Sequence, residues 1–455
     1  MAISTEERGL WSSKLGFVVA AAGSAVGLGN IWSFPNEVAE NGGAAFLLIY
    51  LACCFLVGFP LMTAELTIGR HTRRNPVGAF KSLSSNPLAP LIGFWGVLCG
   101  VMILAFYNVI AGIALSYVFT EFFHFTNTEN LISWFSGNGA NPGLKNALFS
   151  VAFMGITVMV VTKGISGGIE RAAKILMPIL LTLLVGLIFY VAMQPGSGQG
   201  FAEYLKPDLS EVNGALIFDA MGQAFFSLSL GMGALITYGS YLNKKQNIAE
   251  AAAYVTLADL GVAFIAGLLI IPAMYLAAEN GIPIFGDDGS LLGSDTLVFS
   301  VLPDMFHSMP SATIGLFVGI SFFVLLSVAA LTSTISLLEV PTSYAIDELG
   351  LTRGRAAMLI GGGIATISVI ISFNMGLIGT LATLFNDIGL PLGGVVICLF
   401  LGYVWKTGNA LDEIEEGYPG VHDSMFGKVW PIFVKYICPV LILIVFVITL
   451  TNVLS

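Results

Sequence analysis

Charge is what this sequence has least of. Asp, Glu, Lys and Arg make up 10% of its 455 residues, against 56% hydrophobic types, and the mean hydropathy is +0.88. An ordinary soluble domain carries about a quarter charged residues, so this scarcity points to a chain that crosses a membrane many times. No basic tract, and no basic patch interleaved with aromatics, argues for a nucleic-acid partner, and the net charge of -10 adds nothing about partners. The four histidines are scattered without zinc spacing, and all five cysteines (Cys53, Cys54, Cys99, Cys398, Cys438) lie inside apolar runs, where they read as small buried side chains. There is no Ser/His/Asp grouping, no His-Glu-x-x-His and no Gly-Lys-Ser/Thr phosphate loop, which leaves neither an enzyme nor an ATP-driven machine; no organic cofactor is expected. Met1 to Ser13 is short and polar, without an apolar signal core, so the first span is expected to be retained.

Long apolar runs fill the space that charge vacates. They predict eleven spans, at 13–37, 41–70, 89–123, 145–163, 168–194, 214–240, 250–280, 311–349, 356–373, 376–405 and 428–451. With the N-terminus in the cytoplasm, thirteen bases from Arg70 to Lys428 lie inside and only Lys145 and Lys206 clearly outside, which puts Ser455 outside a plasma (inner) membrane. The loops at 124–144, 195–213 and 281–310 are long, and the last holds a capped apolar segment from Asp295 to Phe306 that could cover an outer vestibule.

Two of the spans are interrupted. Gly23-Ser24-Ala25-Val26-Gly27-Leu28-Gly29-Asn30 breaks the first near its centre, and Phe226-Ser227-Leu228-Ser229-Leu230-Gly231-Met232-Gly233 breaks the sixth. Bare peptide groups cost several kcal/mol in hydrocarbon, so irregular backbone there must face protein, a cavity or an ion. Each break heads a block of five spans, and five helices per block make the second block enter from the opposite side. Such pairing predicts inverted repeats over about 13–194 and 214–405, with an extra helix at 428–451, in one transmembrane domain over 1–455. Close helix packing is the alternative for either Gly-x-Gly alone. Gly168 and Pro178 in the fifth span allow either local unwinding or a plain kink.

Among intramembrane charges Asp259 is the deepest, and it needs a cation, a proton or strong donors. Glu65 and Glu339 are expected to bond backbone released at the breaks, while Asp387 is open between gating and simple solvation. The small and hydroxyl residues from Ala329 to Thr334 offer hard oxygen ligands, or else bonds to their own helix.

The residues Gly23–Trp32, Phe34-Pro35, Glu40–Gly43, Gly222–Phe226, Leu228–Gly231 and Leu331–Ser333 resemble the neurotransmitter:sodium symporters, above all their bacterial amino-acid transporters, over essentially the whole chain. That resemblance implies an all-α fold of five-plus-five inverted repeats, alternating access and sodium-driven uptake. One sodium ion is implied at the carbonyls of Gly23, Val26 and Ala329 with the hydroxyls of Thr332 and Ser333. A second is implied at the Ala25 carbonyl, Asn30, Ser227 and Asp259, completed by the substrate carboxylate. Asp259 stands where many relatives have Asn, and Ala263 replaces the Ser or Glu tied to chloride, so transport is expected to be chloride-independent.

By the same resemblance the substrate pocket comprises Ser24, Ala25, Leu28, Gly29, Ile103, Tyr107, Phe226, Ser227, Ser229, Met232, Ser333 and Leu337. Gly27 occupies the position of the monoamine carriers' Asp, so the ligand brings its own carboxylate; a neutral hydrophobic L-amino acid, aromatic ones included, is the expected substrate. Ser33 replaces the outer-gate arginine that would face Asp387, leaving outer closure to Tyr107 and Phe226, while the inner pair Arg8 and Asp347 is kept with Trp11 beside it. The rivals are proton coupling at Asp259, a channel, and a receptor that binds without concentrating its ligand.

Overall fold

The computed structural model describes residues 9–126, 128–136, 141–285, 292–293, 296–309 and 311–454, and these are all-helical, without a strand. In chain order the helices are α1 (Lys14–Ala25), α2 (Gly29–Glu40), α3 (Ala44–Thr72), α4 (Pro76–Leu83), α5 (Pro90–His124), α6 (Glu129–Ser136), α7 (Pro142–Thr162), α8 (Ile165–Ala192) and α9 (Ser197–Leu205). They continue with α10 (Gly214–Ser227), α11 (Ala234–Gly239), α12 (Ile248–Glu279), α13 (Leu297–His307), α14 (Ala312–Leu349), α15 (Arg353–Phe373), α16 (Gly376–Glu415) and α17 (Met425–Thr451). Among the described residues nine helices are long and apolar enough to cross a membrane, and ten if α1 and α2, bent by 50° at their break, form one span. The α10–α11 pair is not counted among these, because its two pieces, of 14 and 6 residues, are parted by the non-helical stretch 228–233.

Local chemistry sets several helix starts. Ser13, Asn75, Asn213 and Asn247 stand just before apolar runs, and each side-chain oxygen accepts a bond from a first-turn N–H. Such a cap is worth about 1 kcal/mol. Pro178, Pro272, Pro341 and Pro431 sit inside helices, where packed neighbours hold the chain in place.

Small residues then let the helices close up. A side chain on Gly69 would meet the Ile236 carbonyl, and one on Gly112 the backbone of Ser150, so α3 touches α11 and α5 touches α7 backbone to backbone. At one end of the molecule Arg70, wholly buried, donates Nε to Glu413 Oε1 at 2.7 Å and Nη1 to the Gln246 carbonyl at 2.6 Å, while His71 and Lys244 reach Glu413 Oε2. This cluster ties α3 and the α11–α12 link to α16.

Three of the expected segments take definite form here. The helix that begins at Gly376 is continued to Glu415, but its backbone leaves helical geometry at Lys406 (φ 75°, ψ 137°), next to the end predicted at 405, and Glu413 on the continuation pairs with buried Arg70. The segment around Gly168 is wound as a π-helical turn continuous with the rest of α8, and Glu170 there accepts the Ser12 N–H at 2.8 Å and pairs with Lys174 at 2.6 Å. In the loop at 281–310 the apolar segment forms α13, whereas its expected cap Asp295 lies outside the described residues, as do Arg8 and Ser455.

Candidate functional site

Between α1 and α2 the chain leaves the helix at Val26, which is extended (φ -72°, ψ 99°). Several of the peptide groups freed there find side-chain partners. Gly27 N–H donates to Asn30 Oδ1 at 3.1 Å and Leu28 N–H to Tyr107 Oη at 2.8 Å. The Ser24 carbonyl accepts from Ser333 Oγ at 3.2 Å and Ser229 Oγ at 3.3 Å, the Val26 carbonyl from Thr332 Oγ1 at 3.2 Å, and the Gly29 carbonyl from Gln223 Nε2 at 3.0 Å. Buried backbone requires such accounting, and hydroxyls and amides supply it here.

The second break lies between α10 and α11. Ser229, Gly231 and Gly233 take positive φ of 54°, 81° and 79°, a pattern two glycines make tolerable. A side chain on Gly231 would lie 2.2 Å from the Leu390 carbonyl, so that position admits glycine alone. Glu65, fully buried on α3, accepts the Gly231 N–H at 2.7 Å, the backbone role expected of it. Glu339 behaves differently: it takes a bidentate bond from Arg353 at 2.7 and 2.9 Å and the Tyr241 hydroxyl at 2.6 Å. No sequence spacing announced that partnership.

Asp259 is completely buried on α12, level with the first break. Asn30 Nδ2 donates to Oδ1 at 2.8 Å, Ser227 Oγ reaches both oxygens at 2.8 and 3.0 Å, and Tyr50 Oη donates to Oδ2 at 3.1 Å. Among the described residues no lysine or arginine pairs with it. The result is a cluster of hard oxygens gathered around one carboxylate. Nearby, Thr332 Oγ1 also donates to the Ala329 carbonyl at 2.8 Å, so the oxygens of Val26, Ala329 and Thr332 form a second, neutral cluster. Gly23 lies against it, since a Cβ there would stand 3.4 Å from Thr332.

Eleven of the twelve residues assigned to the substrate pocket line one small cavity of about 20 Å³: Ser24, Ala25, Gly29, Ile103, Tyr107, Phe226, Ser227, Ser229, Met232, Ser333 and Leu337. Leu28 is not among them. It is buried, with its N–H spent on Tyr107, and Gly27 lines the cavity in its stead. At Gly27 an added Cβ would fall 2.3 Å from Ser333 Oγ and 2.7 Å from Tyr107 Oη. On one side Phe226 is shared with a vestibule that Ser33 and Asp387 also line, together with Glu37 and Asp219. Ser33 donates not to Asp387 but to Gln223 Oε1, at 3.2 Å. Away from the vestibule, Trp11 gives its indole N–H to the Tyr238 carbonyl at 3.0 Å and packs on Phe17 and Tyr241, while Asp347 accepts from Asn75 N–H at 2.8 Å.

Bilayer-length helices, with a glycine-broken pair bordering a small buried cavity, define a multi-pass membrane protein. The sodium:neurotransmitter symporter family model matches residues 8–147 and 123–455, and the chain belongs to that family, which consists of transporters and not enzymes. It is similar to an uncharacterized sodium-dependent transporter of Haemophilus influenzae (31% identity, 98% of this chain and 99% of that one) and to another of Bacillus subtilis, YhdH (33%, 96% of each). Among solved structures it matches MhsT in complex with L-phenylalanine, at 40% identity and a TM-score of 0.83 over 97% of this chain and 99% of that one.

Proposed function

We propose that the protein is a sodium-coupled symporter that imports neutral hydrophobic L-amino acids, aromatic ones included, by alternating access in the plasma membrane. The observation that carries this reading is Asp259: a buried carboxylate held by Asn30, Ser227 and Tyr50, beside a helix break that borders the small central cavity. An uncompensated carboxylate inside a membrane costs several kcal/mol, and a co-transported sodium ion would offset it. With Ala25 carbonyl, Asn30 and Ser227 it forms the first cargo site; Gly23, Val26, Ala329, Thr332 and Ser333 form the second. Hard oxygens with little total charge suit a monovalent alkali ion.

The pocket leaves no room at Gly27 for a side-chain carboxylate of the protein, so the substrate supplies its own. Ile103, Phe226, Met232 and Leu337 offer an apolar, adaptable end for its side chain. The vestibule end is taken as extracellular, with Phe226 and Tyr107 closing over the substrate and Ser33 as a neutral strut. Trp11, with Arg8 and Asp347, closes the cytoplasmic end. Two five-helix repeats, 13–194 and 214–405, followed by 428–451, give eleven spans with the N-terminus inside and the C-terminus outside.

Counter-ion-controlled uptake of labelled amino acids into proteoliposomes tests the reading. An inward sodium gradient should concentrate phenylalanine or leucine, and gluconate in place of chloride should leave the rate unchanged because Asp259 supplies the negative charge. A pH gradient that drives uptake in sodium-free buffer would assign the coupling to a proton instead. Conductance without substrate would make the protein a channel.

A further inference from the structure

Lys145 is a buried cation that the transport cycle does not use. It stands in the first turn of α7, is 2% exposed, and has no carboxylate or hydrogen-bond acceptor paired with its ammonium among the described residues. What it faces is the ring of Tyr117, 6.0 Å from Nζ to the centroid. Glu121, one turn further along α5, is directed to His307 Nε2 at 3.0 Å. The setting makes an unpaired ammonium worse, since the positive end of α7 lies beneath it and Asn141, the N-cap residue, gives no side-chain bond to the first turn. Burying a charge without a partner is among the costliest arrangements a protein holds.

Beside it, Asn146 is 6% exposed, its Oδ1 has no hydrogen-bond partner, and its Nδ2 has only the thioether of Met375, at 3.6 Å. Lys145 and Asn146 both line a cavity of about 330 Å³ off the vestibule, joined to it at Ile110 and Ile378 and edged by the hydroxyls of Thr296 and Ser300. A single positive charge, an underused amide and mostly apolar walls suit one weakly hydrated ion of charge -1.

We propose that this side cavity binds a small monovalent anion, a halide or a small carboxylate, on Lys145. The site lies apart from both cargo clusters and from the central cavity, and it does not depend on the transport reading. The test follows the unfolding midpoint of the purified full-length protein in detergent, at constant sodium and ionic strength, as chloride or formate replaces gluconate. Wild type should gain roughly 2–4 °C, saturably. Lys145→Arg should keep part of that gain and Lys145→Gln should lose it. In gluconate alone Lys145→Gln should melt above wild type, because it removes the unpaired charge; this comparison also verifies that the variant folds. A response to chloride alone identifies a halide site and to formate alone a carboxylate site. A wild-type midpoint indifferent to both anions overturns the proposal, and so does an equal gain in Lys145→Gln.

Discussion

At Asp259 one carboxylate takes hydrogen bonds from three separate helices: Asn30 on α2, Tyr50 on α3 and Ser227 on α10. Asp259→Asn keeps the shape and removes the charge, so the sodium concentration for half-maximal uptake should rise roughly tenfold or more, equivalent to about 1.4 kcal/mol. Tyr50→Phe removes one of the donors and should raise it less, roughly two- to fivefold, with a small loss of thermal stability. Gly27→Ala tests the pocket floor. Its Cβ must displace both Ser333 and Tyr107, and overpacking of that kind costs about 1–3 kcal/mol, so substrate affinity by competition binding should fall roughly tenfold. Gly100→Ala, on α5 with open space around its Cβ, should leave binding untouched.

The two helix breaks were legible because glycine-rich stretches free peptide groups that hydrocarbon cannot satisfy, and such stretches stand at 23–30 and 226–233. Their partners were not legible. Tyr50 is one hydroxyl in a long apolar run, with no periodic signal to tie it to α12, and the Glu339–Arg353–Tyr241 set joins residues brought together only by packing. Gln223 sat inside a recognised motif, yet its bond to the Gly29 carbonyl depends on how α10 lies against α2. Leu28 was assigned to the pocket by the family resemblance, and beyond the extended backbone at Val26 it is Gly27 that lines the cavity. The acceptor on Glu65 gives an element-scale prediction: Glu65→Ala strands the Gly231 N–H and should cost about 1–3 kcal/mol, read as a lower unfolding midpoint, while Glu65→Gln keeps an oxygen for it and should cost less.

For the whole molecule, the joint at Glu413 is the counterpart of the apolar packing. Three basic side chains from two distant stretches of sequence converge on that carboxylate, and Arg70 among them has no exposed surface. Glu413→Ala would leave a buried guanidinium uncompensated, which costs about 3–5 kcal/mol; the variant should unfold at a markedly lower temperature in detergent, with Glu413→Gln intermediate.

Phe226 has a quieter consequence. Its ring stands between the vestibule and the central cavity, and it rests on Gly29, where an added Cβ would be 2.9 Å from the ring edge. On the reading proposed above, the solute is shut off from the extracellular water by a disc of carbon only one benzyl group thick, with no ion pair at Ser33 to reinforce it. A seal made of dispersion forces is indifferent to ionic strength, unlike one made of opposite charges. The occlusion of a bound amino acid should therefore last as long in concentrated brine as in dilute buffer.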